Sequence, residues 1–251
     1  MNISHRVARL FSRLYSLLLV TVATLSAEPA RAQMMGEPSI HGMFRAEELE
    51  YGFNGGTNPV TWDASSWLGG DWNRIWFKSE GEMPTAELGV EGEAQVLYSR
   101  LIAPFWELQV GVRGDLVAES GGTLGRGHLV VGLEGLAPYW FEIEPALFVS
   151  HEGEVSARLR ATHDLFVSQR LIAQSSFEAN VADQSVPEFG VGAGFNDIEL
   201  GLRLRYEVAR EFAPYLGVSW KQTFAQTARL RRDAGQASSD LRGVLGIRFW
   251  F

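Results

Sequence analysis

Leu241-Arg-Gly-Val-Leu-Gly-Ile-Arg-Phe-Trp-Phe251 decides the fold. Leu241, Leu245, Ile247, Phe249 and Phe251 share one parity, while Arg242, Gly246 and Arg248 occupy the other. A strand that is greasy on one face and cationic on the other suits a membrane barrel, with lipid outside and water or ion pairs within. A lone segment of this kind would equally fit the edge of a soluble sandwich.

The same two-residue period recurs upstream. Ile198, Leu200, Leu202, Leu204, Tyr206 and Val208 oppose Asp197, Glu199, Arg203, Arg205 and Glu207. Tyr139, Phe141, Ile143, Leu147 and Val149 oppose Glu142 and Glu144, and Val155 to Ala161 alternates with Ser156, Arg158 and Arg160. Leu108, Val110 and Val112 oppose Glu107, Gln109, Arg113 and Asp115; Leu171, Ala173, Phe177 and Val181 oppose Arg170, Gln174, Glu178 and Asn180. A soluble sheet also alternates, so length must arbitrate. Globular strands average ~5–6 residues, whereas tilted membrane strands need about 9–11, and several alternations here last that long.

The links agree. Tight junctions at 68–71, 103–104, 137–138, 166–169 and 209–213 take turns with longer or more polar ones at 54–58, 81–87, 119–126, 151–153, 183–195 and 226–238. Short turns at one end and long loops at the other characterise outer-membrane barrels. The expectation is an all-β, up-and-down antiparallel transmembrane β-barrel of twelve strands over 44–251. It becomes ten if the first pair, 44–53 and 59–67, lies in the periplasm. Phe105, Trp106, Tyr139, Trp140, Phe212, Tyr215, Trp250 and Phe251 fall at its short-turn end, where interfacial aromatics belong. A terminal aromatic also resembles the C-terminal signal of bacterial outer-membrane proteins.

Residues 1–32 read as a secretory signal peptide. His5, Arg6, Arg9 and Arg13 give a basic start, 14–25 an apolar run, and Ala30-Arg-Ala32 a small-x-small cleavage site. The apolar run is too short to span a bilayer. Cleavage removes four Arg and one Glu, so the formal charge moves from −8 to −11 over the remaining 219 residues. That acidity argues against nucleic acid, which requires a clustered basic face. There is no cysteine, which excludes disulfides and thiolate metal chemistry. Gly190-Val-Gly-Ala-Gly194 is not followed by a helical pattern or Lys-Ser/Thr, so it does not read as a phosphate loop.

Parity points a dense set of charges inward: Glu107, Arg113, Glu142, Glu144, Arg158, Arg160, Glu199, Arg203, Arg205 and Arg248 as a network. Glu48, Glu50, Asp63, Arg74, Lys78, Glu91, Glu93, Asp115, Glu134, Asp164, Arg170, Glu178, Glu207, Lys221 and Arg242 join them. An unpaired buried charge costs several kcal/mol. A narrow barrel so lined is a structural ion-pair network, with a polar path for a small cation as the functional alternative.

Several runs together resemble the bacterial copper resistance protein B family. They are Asn73-Arg-Ile-Trp-Phe-Lys-Ser-Glu-Gly-Glu82, Ala103-Pro-Phe-Trp-Glu-Leu-Gln-Val-Gly-Val-Arg113 and Gly135-Leu-Ala-Pro-Tyr-Trp-Phe-Glu-Ile-Glu144. Gly201-Leu-Arg-Leu-Arg-Tyr206, Glu211-Phe-Ala-Pro-Tyr-Leu-Gly-Val-Ser-Trp220 and Gly246-Ile-Arg-Phe-Trp-Phe251 complete the series. The resemblance implies an outer-membrane barrel serving copper tolerance, beside periplasmic copper-resistance proteins that include a multicopper oxidase. Its ligand is a copper ion, with no organic cofactor.

Members often carry a long Met- and His-rich segment ahead of the barrel; here it has shrunk to 33–43, holding Met34, Met35, His41 and Met43. Thioethers are soft ligands for Cu(I), and imidazole accepts either oxidation state. The same residues also fit a plain linker. Met83, His128 and His151 form a second candidate copper set near the long loops. His163, with Ser168 close in sequence, keeps an outer-membrane lipase-like enzyme as a minor alternative, and a general small-solute porin as another. A non-enzymatic barrel is the expectation.

Overall fold

The computed structural model describes residues 40–85, 89–119 and 122–251, in which twelve antiparallel strands close into a barrel, each paired with its chain neighbours and β12 with β1. They are β1 (His41–Phe53), β2 (Val60–Gly69), β3 (Asn73–Met83), β4 (Gly89–Ala103), β5 (Trp106–Glu119) and β6 (Gly122–Ala137). The series continues with β7 (Phe141–Ser150), β8 (Val155–Phe166), β9 (Leu171–Ala182), β10 (Gly194–Tyr206), β11 (Phe212–Thr223) and β12 (Ser239–Trp250). The choice between ten and twelve strands falls to twelve, because 44–53 and 60–67 pair with each other, 44–53 also with the last strand and 60–67 also with β3.

Side chains face as the alternation demands. On β10, Leu202 is 54% exposed and its neighbour Arg203 only 4%. Leu200, Leu204 and Tyr206 share the outer face, as do Leu241 and Leu245 on β12. Among the described residues no second sheet lies against this outward belt: every strand has both edges paired within one closed ring, and Leu202, Leu241 and Leu245 remain more than half exposed. The barrel closes at an aromatic seam. Phe44 stacks on Phe251 (5.2 Å) and leans on Phe249 (6.0 Å), and the Phe44 and Phe251 backbones exchange two hydrogen bonds of 2.9 and 3.0 Å.

Short connections at 70–72, 104–105, 138–140, 167–170 and 207–211 gather at the end holding His41 and Phe251. The opposite end carries 54–59, 151–154, 183–193 and 224–238, together with the β3–β4 and β5–β6 junctions. Two of these differ from expectation. The described part of 119–126 is strand: β5 runs to Glu119 and β6 starts at Gly122, with Thr123 opposite Ala118 and Leu124 opposite Val117, because Leu116 and Leu124 extend the outward apolar row past the small residues. The span 226–238 contains helix α1 (Ala225–Asp233), where Ala225, Gln226, Ala228, Leu230 and the arginines supply helix formers in a run that lacks alternation.

Candidate functional site: the lumen

The lumen is crossed by arginine. Arg158 and Arg160 of β8 reach Glu80 of β3, five strands away in a ring of twelve, at 2.7 and 2.5 Å. Arg158 also holds Glu93 (2.8 Å), and Arg160 holds Glu178 (2.8 Å) and Asp63 of the diametrically placed β2 (3.5 Å). Lys78 bridges Glu134 and Glu144, each at 2.8 Å. Arg203 grips Glu50 with two nitrogens at 3.0 and 3.1 Å and reaches Glu48 at 2.8 Å, while Tyr215 donates to Glu50 at 3.0 Å. Such forked, shared geometry is what makes buried charge tolerable.

The other network residues named from sequence also find partners. Glu107 binds Arg74 (2.6 Å), Arg113 binds Glu93 (2.7 Å), Arg205 binds Asp164 (2.7 Å) and Glu199 accepts from Ser219 (2.7 Å). Arg248 pairs with Glu47 (2.5 Å), and Glu142 accepts from Thr162 (3.4 Å). Three assignments need correction. Arg170 sits in the 167–170 turn and Glu207 just beyond β10, so neither is on the lumen wall. Tyr215, placed by sequence at the interface, points inward and is 4% exposed. Glu47 and Arg45, missed by parity, line the lumen and pair with each other because a β-bulge between Ala46 and Glu48 turns both Glu47 and Glu48 inward. Strict alternation cannot announce a bulge, although the doubled glutamate is compatible with one.

Charge does not fill the whole interior. Trp76, Leu97, Val130 and Phe148 form a buried apolar mass inside the barrel, joined by Trp67 and Ala146. Cations cover it: Arg74 lies 4.4 Å from the Trp67 ring centroid and Arg113 4.6 Å from that of Phe148. The signal lay in Val96-Leu-Tyr98 and Leu129-Val-Val131, where three consecutive apolar residues put grease on both faces. Gly111 lets β5 lie flush here, since a Cβ would come within 2.0 Å of the Val96 carbonyl oxygen. Beside the apolar mass runs a cavity of about 470 Å3, from Phe189, Val191 and Arg231 at the long-loop end to Arg45, Glu47 and Arg248 near the other. Among the described residues fifteen carboxylates and ten basic side chains line it; with Arg158 and Arg205, which pair with Glu80, Glu93 and Asp164 of this lining, the formal excess is three negative charges.

The candidate copper ligands are dispersed. Met34 and Met35 lie outside the described residues, as does the 1–32 signal-peptide reading. His41 and Met43 belong not to a segment ahead of the barrel but to β1, opposite Gly69 and Trp67, because the alternation feeding the barrel wall already starts at His41. Met83, His128 and His151 do not converge. Met83 ends β3 on the outer face, exposed, and His128 is buried on β6 with Nδ1 3.6 Å from Asp115, three strands further round. Three strand spacings amount to about 14 Å, far beyond coordination distance. His151 is exposed in its turn beside Glu152. Among the described residues, no group of three or more His, Asp or Glu is arranged to hold a metal ion. His163 stacks on Phe141 at 4.6 Å, while the Ser168 hydroxyl accepts from the Arg170 and Leu171 amides.

At the long-loop end, Glu154 lies outside the strands. The Ser150 hydroxyl and then the Arg126 guanidinium, 2.7 Å away, hold its carboxyl down at about 2.

A closed meander of long two-faced strands around an ion-paired lumen defines an up-and-down antiparallel β-barrel, a fold similar to that of outer-membrane porins. It overlays the solved NanC porin with a TM-score of 0.51 at 13% identity, covering 83% of this chain and 99% of that one. The sequence narrows this further. Residues 40–251 match the family described as Copper resistance protein B precursor (CopB), and the chain belongs to that family. It is 40% identical over 215 residues to Copper resistance protein B of Escherichia coli, covering 86% of this chain and 71% of the relative. The Copper resistance protein B homolog of Pseudomonas syringae pv. tomato is 34% identical over the same shares.

Proposed function

We propose that this barrel serves copper resistance in the bacterial outer membrane as a passive, non-enzymatic conduit that binds copper ions at its periplasmic end and passes them along the acid-rich lumen. The observation that carries the reading is the cavity's excess of carboxylates, three formal negative charges once Arg158 and Arg205 are counted. Low-dielectric walls focus such an excess onto a cation and raise its local concentration. The paired arginines keep that potential from collapsing into a tight site, so ions are attracted without being trapped. Short turns face the periplasm in outer-membrane barrels, so on this reading His41 and Met43, which share the short-turn end, meet periplasmic copper, with Met34 and Met35 just upstream in sequence. Soft thioethers favour Cu(I), whereas carboxylates favour harder divalent ions. Periplasmic copper-resistance proteins, including a multicopper oxidase, are the proposed exchange partners, and outer-membrane lipid is the solvent for the exposed belt.

Copper flux into chelator-loaded proteoliposomes tests the conduit. Uptake that matches empty liposomes would sink it, as would steady large-current openings that pass anions and cations alike. Replacing Met34, Met35, His41 and Met43 together by alanine weakens copper binding and copper tolerance; unchanged values refute the entry site. Copper accumulating in cells that lack the protein reads as export, and depletion as entry.

A further inference from the structure

The long-loop mouth of the barrel carries two segments that fold over it and lock together. The first is the 183–193 connection between β9 and β10, which makes a single 3-10 turn at Pro187–Phe189 and closes on itself through the Val186 amide to the Val191 carbonyl (2.8 Å). The second is α1. Between them, the Gly192 amide donates to the Thr227 hydroxyl at 2.9 Å, and the Ala193 amide to the Gln226 side-chain oxygen at 3.1 Å. The Asn196 amide, oriented with its nitrogen toward them, donates to the Gly192 and Gly194 carbonyls at 2.8 and 3.0 Å. Phe195 and Phe224, which adjoin the two segments, pack at 5.2 Å, and Thr227, Ala228, Val186 and Asn196 are all buried.

This is more than loop-to-loop contact, because the assembly reaches into the lumen. Phe189 and Val191 of the first segment and Arg231 of the second line the upper cavity. Arg126 lies 5.6 Å over the Phe189 ring and is itself held by Glu154 at 2.7 Å, tying the first segment to the β7–β8 turn. The fit depends on one residue. A Cβ on Gly192 would stand 2.4 Å from the Thr227 nitrogen and 2.7 Å from the Gln226 carbonyl carbon, so only glycine permits the approach. The glycine-rich stretch Gly190 to Gly194 therefore has a task at this junction.

We infer that the 183–193 segment and α1, joined at Gly192, form a cap that sets the size limit of the extracellular mouth, admitting small ions and excluding larger solutes. The cap narrows the path whatever ion the barrel carries, so the inference stands apart from the copper assignment. Buried hydrogen bonds and an arginine seated over the cavity make it a fixed filter, whereas the ion pairs deeper down set charge preference.

The test is conductance and polymer exclusion in planar bilayers, using graded neutral polyethylene glycols as probes. The variants are Gly192→Val, which must push α1 away, and replacement of residues 225–236 by a short Gly-Ser link. Heat-modifiable gel mobility verifies that each barrel is closed. Both variants raise single-channel conductance at least about threefold and admit larger polymers, since flow through a short constriction follows its open area. Closed barrels that show unchanged conductance and unchanged polymer cut-off in both variants overturn the cap. Arg231→Gln serves as a charge control: it shifts ion preference and leaves the polymer cut-off where it was.

Discussion

Replacing Arg203 by methionine tests whether the lumen network is a true interior or a screened surface. Arg203 is 4% exposed and faces Glu50 at 3.0 Å and Glu48 at 2.8 Å. At an effective dielectric of ~20, each contact supplies roughly 5–6 kcal/mol of attraction, most of which offsets the desolvation of the charges. Removing the cation leaves two carboxylates facing each other without it, so the loss is about 3–5 kcal/mol. That is a large share of a stability that is typically ~5–15 kcal/mol. Urea unfolding of protein refolded into lipid vesicles, followed by tryptophan emission, measures it. Glu50→Met combined with Arg203→Met removes both ends of the forked pair and leaves only Glu48 without its partner. The double variant therefore falls short of the summed single losses by about 1–2 kcal/mol or more. A single-variant loss below ~1 kcal/mol, or additivity within ~0.5 kcal/mol, would show that lumen water screens the pair, and the reasoning would fail.

Leu97→Ala hollows the apolar mass inside the barrel, where Leu97 is 1% exposed; it costs about 2–5 kcal/mol in the same unfolding measurement, and a neutral result would mean the mass is not close-packed. Phe251→Ala removes a ring stacked at 5.2 Å on Phe44. It weakens the closing seam by about 1 kcal/mol and slows acquisition of the folded gel mobility, whereas equal folding rates would count against the seam. The Glu154 carboxyl, depressed to about 2 in the fold against an ordinary 4.5, stabilises the Ser150–Glu154 turn fully above the ordinary value and progressively less as pH falls toward 2. Amide protection factors in that turn therefore hold between pH 7 and 5, drop between about pH 4.5 and 2, and become flat with pH in Glu154→Gln; a flat wild-type profile contradicts the assignment.

Much of the barrel was legible because a two-faced barrel wall obeys a local rule. Ile198 to Val208 alternates without interruption, and β10 presents Leu200, Leu202 and Leu204 outward with Arg203 and Arg205 inward. Leu241 to Phe251 behaves the same way. Errors fell where the rule breaks. The β1 bulge hid Glu47, the apolar residues Leu97 and Val130 faced a direction reserved for charge, and Tyr215 turned inward to serve Glu50. The candidate site was less legible. Parity named charges but could not say that Arg160 meets Glu80 and Asp63 across the cylinder, since those pairs are 80 and 97 residues apart. Nor could spacing tell that Met83 and His128 face opposite sides of the wall.

The chain alone determined the two-faced strands, the alternation of short and long connections and the crowding of charge on one parity, because each follows from interactions within a strand or with the solvent beside it. Only closure of the cylinder decided which charges pair, where apolar bulk shares the interior, that a cavity with surplus carboxylate survives, and that Gly192 seats α1 over the mouth. Those outcomes depend on distances across the lumen, which are fixed by the circumference of twelve strands and not by any neighbouring residue.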